Sequence, residues 1–140
     1  MIANNNFSKT IDLLHRGMSV SSLRQSVIAN NLANADVPNF NRTDVNFESE
    51  LKRALDTEKY RPALELKLTH SKHIADWEPR DYQDVRPRRV LDYLTQSDNN
   101  GNNVDPEEEF NLLLKNQLRY MLFAQAAGYE FGQVNMVLRG

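Results

Sequence analysis

The sequence predicts a mainly α-helical fold, in which long N- and C-terminal helices pack as a coiled-coil-like pair around a small irregular, partly β insert. Three observations lead there. Phe110, Leu113, Gln117, Tyr120, Ala124, Ala127, Phe131, Val134 and Leu138 fall at alternating spacings of three and four, the pattern of a coiled-coil seam. Phe7, Ile11, Leu14 and Met18 step in the same way, and Ile28 and Leu32 return to their line. Between these stretches the periodicity fades, with Pro79 and Pro87 punctuating it.

The first helix is expected over 7–35. Ser21 and Gln25 interrupt its main apolar line, and a second line through Leu13, Val20, Leu23 and Val27 widens the surface beyond what one neighbour in a monomer covers. Gly17, in mid-helix, disfavours this helix by about 1 kcal/mol relative to Ala, so packing rather than propensity must hold it. A turn and a short helix follow over 36–56, with Leu51 and Leu55 inward and Lys52 and Arg53 outward. The segment 57–104 reads as the irregular insert. Leu64, Leu66 and Leu68 alternate there with Glu65 and Lys67 as in a half-buried strand, but the segment has too few apolar residues for a core of its own. The last helix, 105–138, has Asp105 as N-cap, Pro106 at its first position, and Glu107, Glu108 and Glu109 where the helix dipole is positive. At about 1.5 Å per residue it would reach roughly 50 Å, so it needs a partner along its length. The whole is expected to be one domain, 1–140.

Composition narrows the function. A net charge of −2 with basic residues spread throughout predicts no strong polyanion field, and Asp81, Asp84 and Asp92 flank the basic run Arg86-Pro87-Arg88-Arg89, so no nucleic-acid partner is expected. Mean hydropathy of −0.65 argues against a large dry core. No apolar run approaches the ~20 residues of a membrane span, and Met1-Ile2-Ala3-Asn4-Asn5-Asn6 does not look like a cleavable signal peptide. The absence of Cys excludes disulfides and thiol chemistry, and suits a chain that crosses compartments unfolded.

Sites of chemistry are sparse. Asp98, Asn100-Gly101 and Glu107 imitate part of a calcium loop, but Gln96 stands at the first ligand position and Pro106 precedes the glutamate. His70 and His73 lack a third ligand nearby, and His15 reads as an ordinary helix residue. With no Gly-rich phosphate loop and no Ser/His/Asp pattern, neither enzymatic activity nor a cofactor or metal is expected. Tyr120 and Phe131 read as core rather than pocket residues.

Two motifs flank the insert. The first is Ile28-Ala29-Asn30-Asn31-Leu32-Ala33-Asn34-Ala35-Asp36-Val37-Pro38-Asn39-Phe40-Asn41-Arg42. Its Asn residues can bond nearby backbone and tolerate left-handed conformations, and Pro38 disfavours helix at Val37, which together suit a helix that ends in a tight turn. The second is Asp98-Asn99-Asn100-Gly101-Asn102-Asn103-Val104-Asp105. The first motif resembles the N-terminal signature of the bacterial flagellar axial proteins (rod, hook and hook-associated subunits), an ANN-(I/L)-AN core followed by a Thr-Pro-Gly-Tyr-type turn. Here Val37, Asn39 and Phe40 replace Thr, Gly and Tyr, and Asn39 is the non-glycine residue that best tolerates positive φ. The second motif resembles the DGNNVD-type segment of rod proteins. The short length, Phe47-Glu48-Ser49-Glu50-Leu51 and His73-Ile74 are similar to proximal-rod subunits rather than longer members. The resemblance covers about residues 7–56 and 98–138.

The resemblance implies a structural rod subunit whose terminal helices assemble into a helical tube that transmits motor torque. It implies export through the flagellar type III channel without loss of a signal peptide, and a place in the basal body, in the periplasm. The implied partners are copies of the chain, other rod subunits, the rod-to-ring adaptor, and the export gate or inner-membrane ring. The residues expected to carry assembly are Phe7, Ile11, Leu14, Met18, Asn30, Asn31, Asn34, Pro38, Phe40, Phe110, Leu113, Tyr120, Phe131, Val134 and Leu138. A coiled-coil adaptor or flagellar export chaperone is the alternative, but such a protein has no need of the paired Asn motifs.

Overall fold

The computed structural model describes residues 6–59, 67, 69, 70, 72, 73, 80–93, 95 and 100–139. Along the chain lie α1 (Asn6–Ala33), β1 (Thr43–Asn46), α2 (Glu48–Lys59), a short 3-10 helix (Tyr82–Asp84), β2 (Arg88–Leu91) and α3 (Pro106–Arg139). The chain divides into two compact units, one of Met1–Val45 with Arg89–Gly140 and one of Asn46–Arg88.

In the first unit α1 and α3 pack together as a pair. Phe7 meets Phe131 edge-to-face, Gly17 lies against the Phe123 ring, and the Asn116 amide donates to the Ser21 carbonyl. As the α1 partner advances along the chain the α3 partner retreats, so the helices run antiparallel. Burial is concentrated toward one end of the pair. Val20, Ser21, Val27, Ile28 and Asn31 are the buried residues of α1, and Glu109 and Asn116 those of α3. Val104, just before α3, adds to this core. Each buried aliphatic side chain contributes about 1.5–3 kcal/mol. Toward the other end Phe7, Ile11, Leu14 and Met18 are only half-buried.

Both lines of α1 therefore supply the core, Val20 and Val27 from the second and Ile28 from the first, and Ser21 belongs to the core rather than interrupting it. On α3 the docked face differs from the expected seam. Leu113 and Ala127 lie half-buried on it, but Phe110, Gln117, Tyr120, Ala124, Phe131, Val134 and Leu138 are exposed, while Glu109, Asn116 and Phe123 turn inward. The correction is a rotation of roughly 60° at about 100° per residue. Apolar residues at 112–114, 118 and 121–123 leave α3 without a single apolar stripe, so periodicity alone does not select its face.

Gly17 has a packing reason. A Cβ there would lie 2.8 Å from Phe123 Cε2. Gly17→Ala should therefore destabilise the unit by about 1 kcal/mol, because overpacking outweighs the gain in helix propensity. Urea denaturation checks this, and a stabilised variant would show that the ring moves aside freely.

β1 and β2 form a two-stranded sheet. β1 falls in the stretch expected to be turn and short helix, because Thr-Asp-Val-Asn has one apolar residue, the buried Val45, and thus no alternation to read. The expected strand through Leu64, Leu66 and Leu68 lies outside the described residues. In the second unit α2 packs with the 3-10 helix. Ala54 is buried, Leu51 and Leu55 are half-buried beside it, and Lys52 and Arg53 point outward. Asp81 caps the 3-10 helix by accepting from the Gln83 N–H at 2.9 Å.

Candidate functional site: an asparagine clasp between the chain ends

The two Asn-rich motifs, more than sixty residues apart, interlock. α1 ends in short turns in which Asn34 N–H donates to the Asn31 carbonyl at 3.0 Å and Val37 N–H to the Asn34 carbonyl at 3.1 Å. Asn39 then takes φ 59°, the left-handed conformation that Asn accepts better than other side chains with a Cβ. Its N–H donates to the Asn100 carbonyl at 3.1 Å. Opposite it Gly101 has φ 80°, and a Cβ there would lie 2.7 Å from Asn39 Oδ1. The positive φ favours glycine at 101, and any larger residue would also have to displace the Asn39 amide.

Asn102, 0% exposed, occupies the centre. Its Nδ2 lies 3.0, 2.6 and 2.9 Å from the carbonyls of Asn34, Ala35 and Val37, just beyond the end of α1, where the regular helical ladder has stopped. Its Oδ1 accepts from Val104 N–H at 2.8 Å. One side chain thus satisfies the C-terminus of α1 and shapes the lead into α3. Asn103 accepts from Arg42 N–H and donates to the Asp92 carbonyl at 2.6 Å. Asn31, also fully buried, exchanges two bonds with Thr43, donating to its carbonyl at 2.9 Å and accepting from its N–H at 3.1 Å. That pairing starts β1 from the last full turn of α1.

Beneath the clasp is an ion pair. Arg42 Nε donates to Oε1 of Glu109, whose side chain is fully buried, and Arg42 Nη1 lies 3.6 Å from Asp92. Burial works against the Arg42 charge, but the hydrogen bond and charge of Glu109, with Asp44 and Glu108 behind it, outweigh that and hold its pKa above the ordinary arginine value. Glu109 Oε2 has no hydrogen-bond partner among the described residues. α3 starts as expected, with Asp105 accepting from the N–H groups of Glu107 and Glu108 at 2.9 and 3.4 Å.

Of the residues expected to carry assembly, Asn31 and Asn34 thus lie in the clasp, and Asn34 Nδ2 also donates to the Asn30 carbonyl at 2.7 Å. Asn30 and Pro38 are exposed and Phe40 is half-buried. Sequence reasoning held Arg42 and Asn103 only as members of the two motifs and Asp92 only as a charge beside the basic run, read Glu109 only as a dipole charge, and did not single out Asn116. The sequence carries no signal that separates Glu109 and Asn116 from the other polar residues of α3, such as Asn111, Lys115 and Arg119. His70 and His73 are exposed, with ring centroids 5.8 Å apart, and no group of three metal-ligating side chains occurs among the described residues. No described helix is long and apolar enough to cross a membrane. The clasp saturates backbone groups with side-chain amides, which is structural chemistry.

Comparison with known proteins matches the same elements. A family model described as "Flagella basal body rod protein" matches residues 11–41, which span most of α1 and the Asn turn. The chain is 42% identical to flagellar basal body rod protein FlgB of Borreliella burgdorferi over 135 residues, 96% of this chain and 99% of the relative. It is 44% identical to the FlgB of Borrelia hermsii over the same shares, and 33% identical to that of Bacillus subtilis over 96% of each chain. These are structural proteins, not enzymes, and the chain belongs to the FlgB family of flagellar basal body rod proteins.

Proposed function

We propose that the chain builds the flagellar rod by packing the outward faces of α1 and α3 against copies of itself and against other rod subunits, forming a helical tube that transmits motor torque. On this reading it works in the periplasm, reaches it through the flagellar export channel without a cleaved signal, and meets the rod-to-ring adaptor and the export gate or inner-membrane ring. One observation carries the proposal. Phe110, Leu114, Leu118, Met121 and Leu122 line the outer side of α3 and are all more than half exposed, with Met136, Val137 and Leu138 exposed near its end. An exposed row of large apolar side chains of this kind marks an interaction surface, and side-by-side packing of unlike surfaces builds open helical arrays. Phe131, one of the residues expected to carry assembly, also meets Phe7 within the chain.

The decisive variant is Leu118→Glu with Met121→Glu. Both side chains point outward, so the monomer should change in stability by no more than about 0.5 kcal/mol per site. Secretion should continue, while rods fail to form and cells lose motility. Fractionation comparing secreted chain with purified basal bodies reads the result, and double-Glu subunits at normal stoichiometry in intact rods would overturn the reading.

A further inference from the structure

α3 docks on α1 with a face that mixes apolar residues with buried polar ones. At the centre of the docked face Glu109 and Asn116 stand one heptad apart, 0% and 3% exposed, and Glu109 Oε2 and Asn116 Oδ1 lack hydrogen-bond partners among the described residues. On the opposite side Phe110, Leu114, Leu118, Met121 and Leu122 are uninterrupted by charge on that face and remain in solvent. Leu112, Leu113 and Phe123 lie half-buried on the docked face, so apolar area alone leaves α3 free to turn either side to α1. What selects one side is specific pairing. Asn116 Nδ2 donates to the Ser21 carbonyl at 2.8 Å, and Glu109 accepts from Arg42.

We propose that Asn116, with Glu109, selects the face that α3 presents to α1, so that the more apolar face is reserved for a neighbouring chain. Both are positioning residues. A buried polar residue in a helix seam fixes orientation at the expense of stability, because only one arrangement gives it a partner. The Ser21 carbonyl is a partner that only this rotation of α3 offers to Asn116. The consequence for assembly rests on the rod-subunit reading above, but the selection itself is a property of the single chain.

The chain has no native Cys, so single-cysteine labelling is clean. Met121→Cys reports the outward face, at a position 62% exposed in the native residue, and Ala127→Cys reports the half-buried docked side. In the otherwise native chain a soluble maleimide should react faster at 121 than at 127. Adding Asn116→Leu should reduce the ratio of the two rates by about tenfold, the scale on which losing one buried hydrogen-bonded group shifts a two-state population. Labelling at 121 should slow while helical circular dichroism is retained. Simple destabilisation would instead speed labelling at 127 without protecting 121. Asn116→Ala, which cannot overpack, is labelled in parallel, and Asn116→Gln, which keeps the amide, should keep the native order. Native order in both the Leu and Ala variants would overturn the proposal. Because the readout is on the unassembled chain, it fails or succeeds independently of rod formation.

Discussion

Replacing Arg42 with Met should destabilise the helical unit by about 3–5 kcal/mol, the loss expected when one member of a buried pair is removed and the other stays charged. The size follows from the stranded group. Glu109 is fully enclosed, its Oε1 depends on Arg42, and its Oε2 has no partner among the described residues. Asp92 would lose the same cation on the β2 side. The test is a double-mutant cycle in urea. Arg42→Met alone should lower the transition midpoint sharply, whereas Arg42→Met with Glu109→Leu should recover most of the loss, since an apolar pair of similar volume replaces a buried ion pair at little net cost. A single variant within about 1 kcal/mol of the native chain would mean that water reaches the carboxylate and that the pair is a surface contact in energetic terms. The position of the pair makes the outcome matter for the fold, because it joins the start of α3 to the residue that leads into β1.

How much of this was legible in the sequence depends on the range of the interaction. Local signals located α3 almost to the residue, since Asp105, Pro106 and the three glutamates define a start that depends on nothing distant. The end of α1 was legible for the same reason, and Asn39 adopts the positive φ that its place in the turn required. The two Asn motifs were recognised separately, but their interlocking was not. No rule of spacing says that Asn102 will serve carbonyls on the far side of an insert. β1 escaped because its strand character comes from Asn31 and β2 rather than from its own four residues. The docked face of α3 escaped because apolar patterning counts burial, whereas the selecting residues are the polar Glu109 and Asn116, whose partners lie on Arg42 and Ser21. The family resemblance, carried by the motifs themselves, needed none of this long-range information.

Asn102→Ala should unfasten the clasp with an effect second only to loss of the ion pair. The native amide supplies the carbonyls of Asn34, Ala35 and Val37, and its oxygen receives the Val104 N–H. Alanine removes all of these at once. The Asn34 and Val37 carbonyls keep the Val37 and Phe40 N–H groups, so the groups that lose their bond among the described residues are the Ala35 carbonyl and the Val104 N–H; at about 1–3 kcal/mol each, a net loss of about 2–4 kcal/mol is expected. Asn102→Asp discriminates further. It keeps the acceptor for Val104 and presents a carboxylate to three carbonyl oxygens, so it should be at least as damaging as alanine despite its matching shape. Hydrogen exchange locates the effect. Protection should fall first at residues 34–42 and 100–105, and the α1 and α3 amides near Ser21 and Asn116 should follow only at higher denaturant. If exchange in those two segments stayed native in both variants, the chain ends would be held by helix packing alone, and the paired Asn motifs would need another explanation.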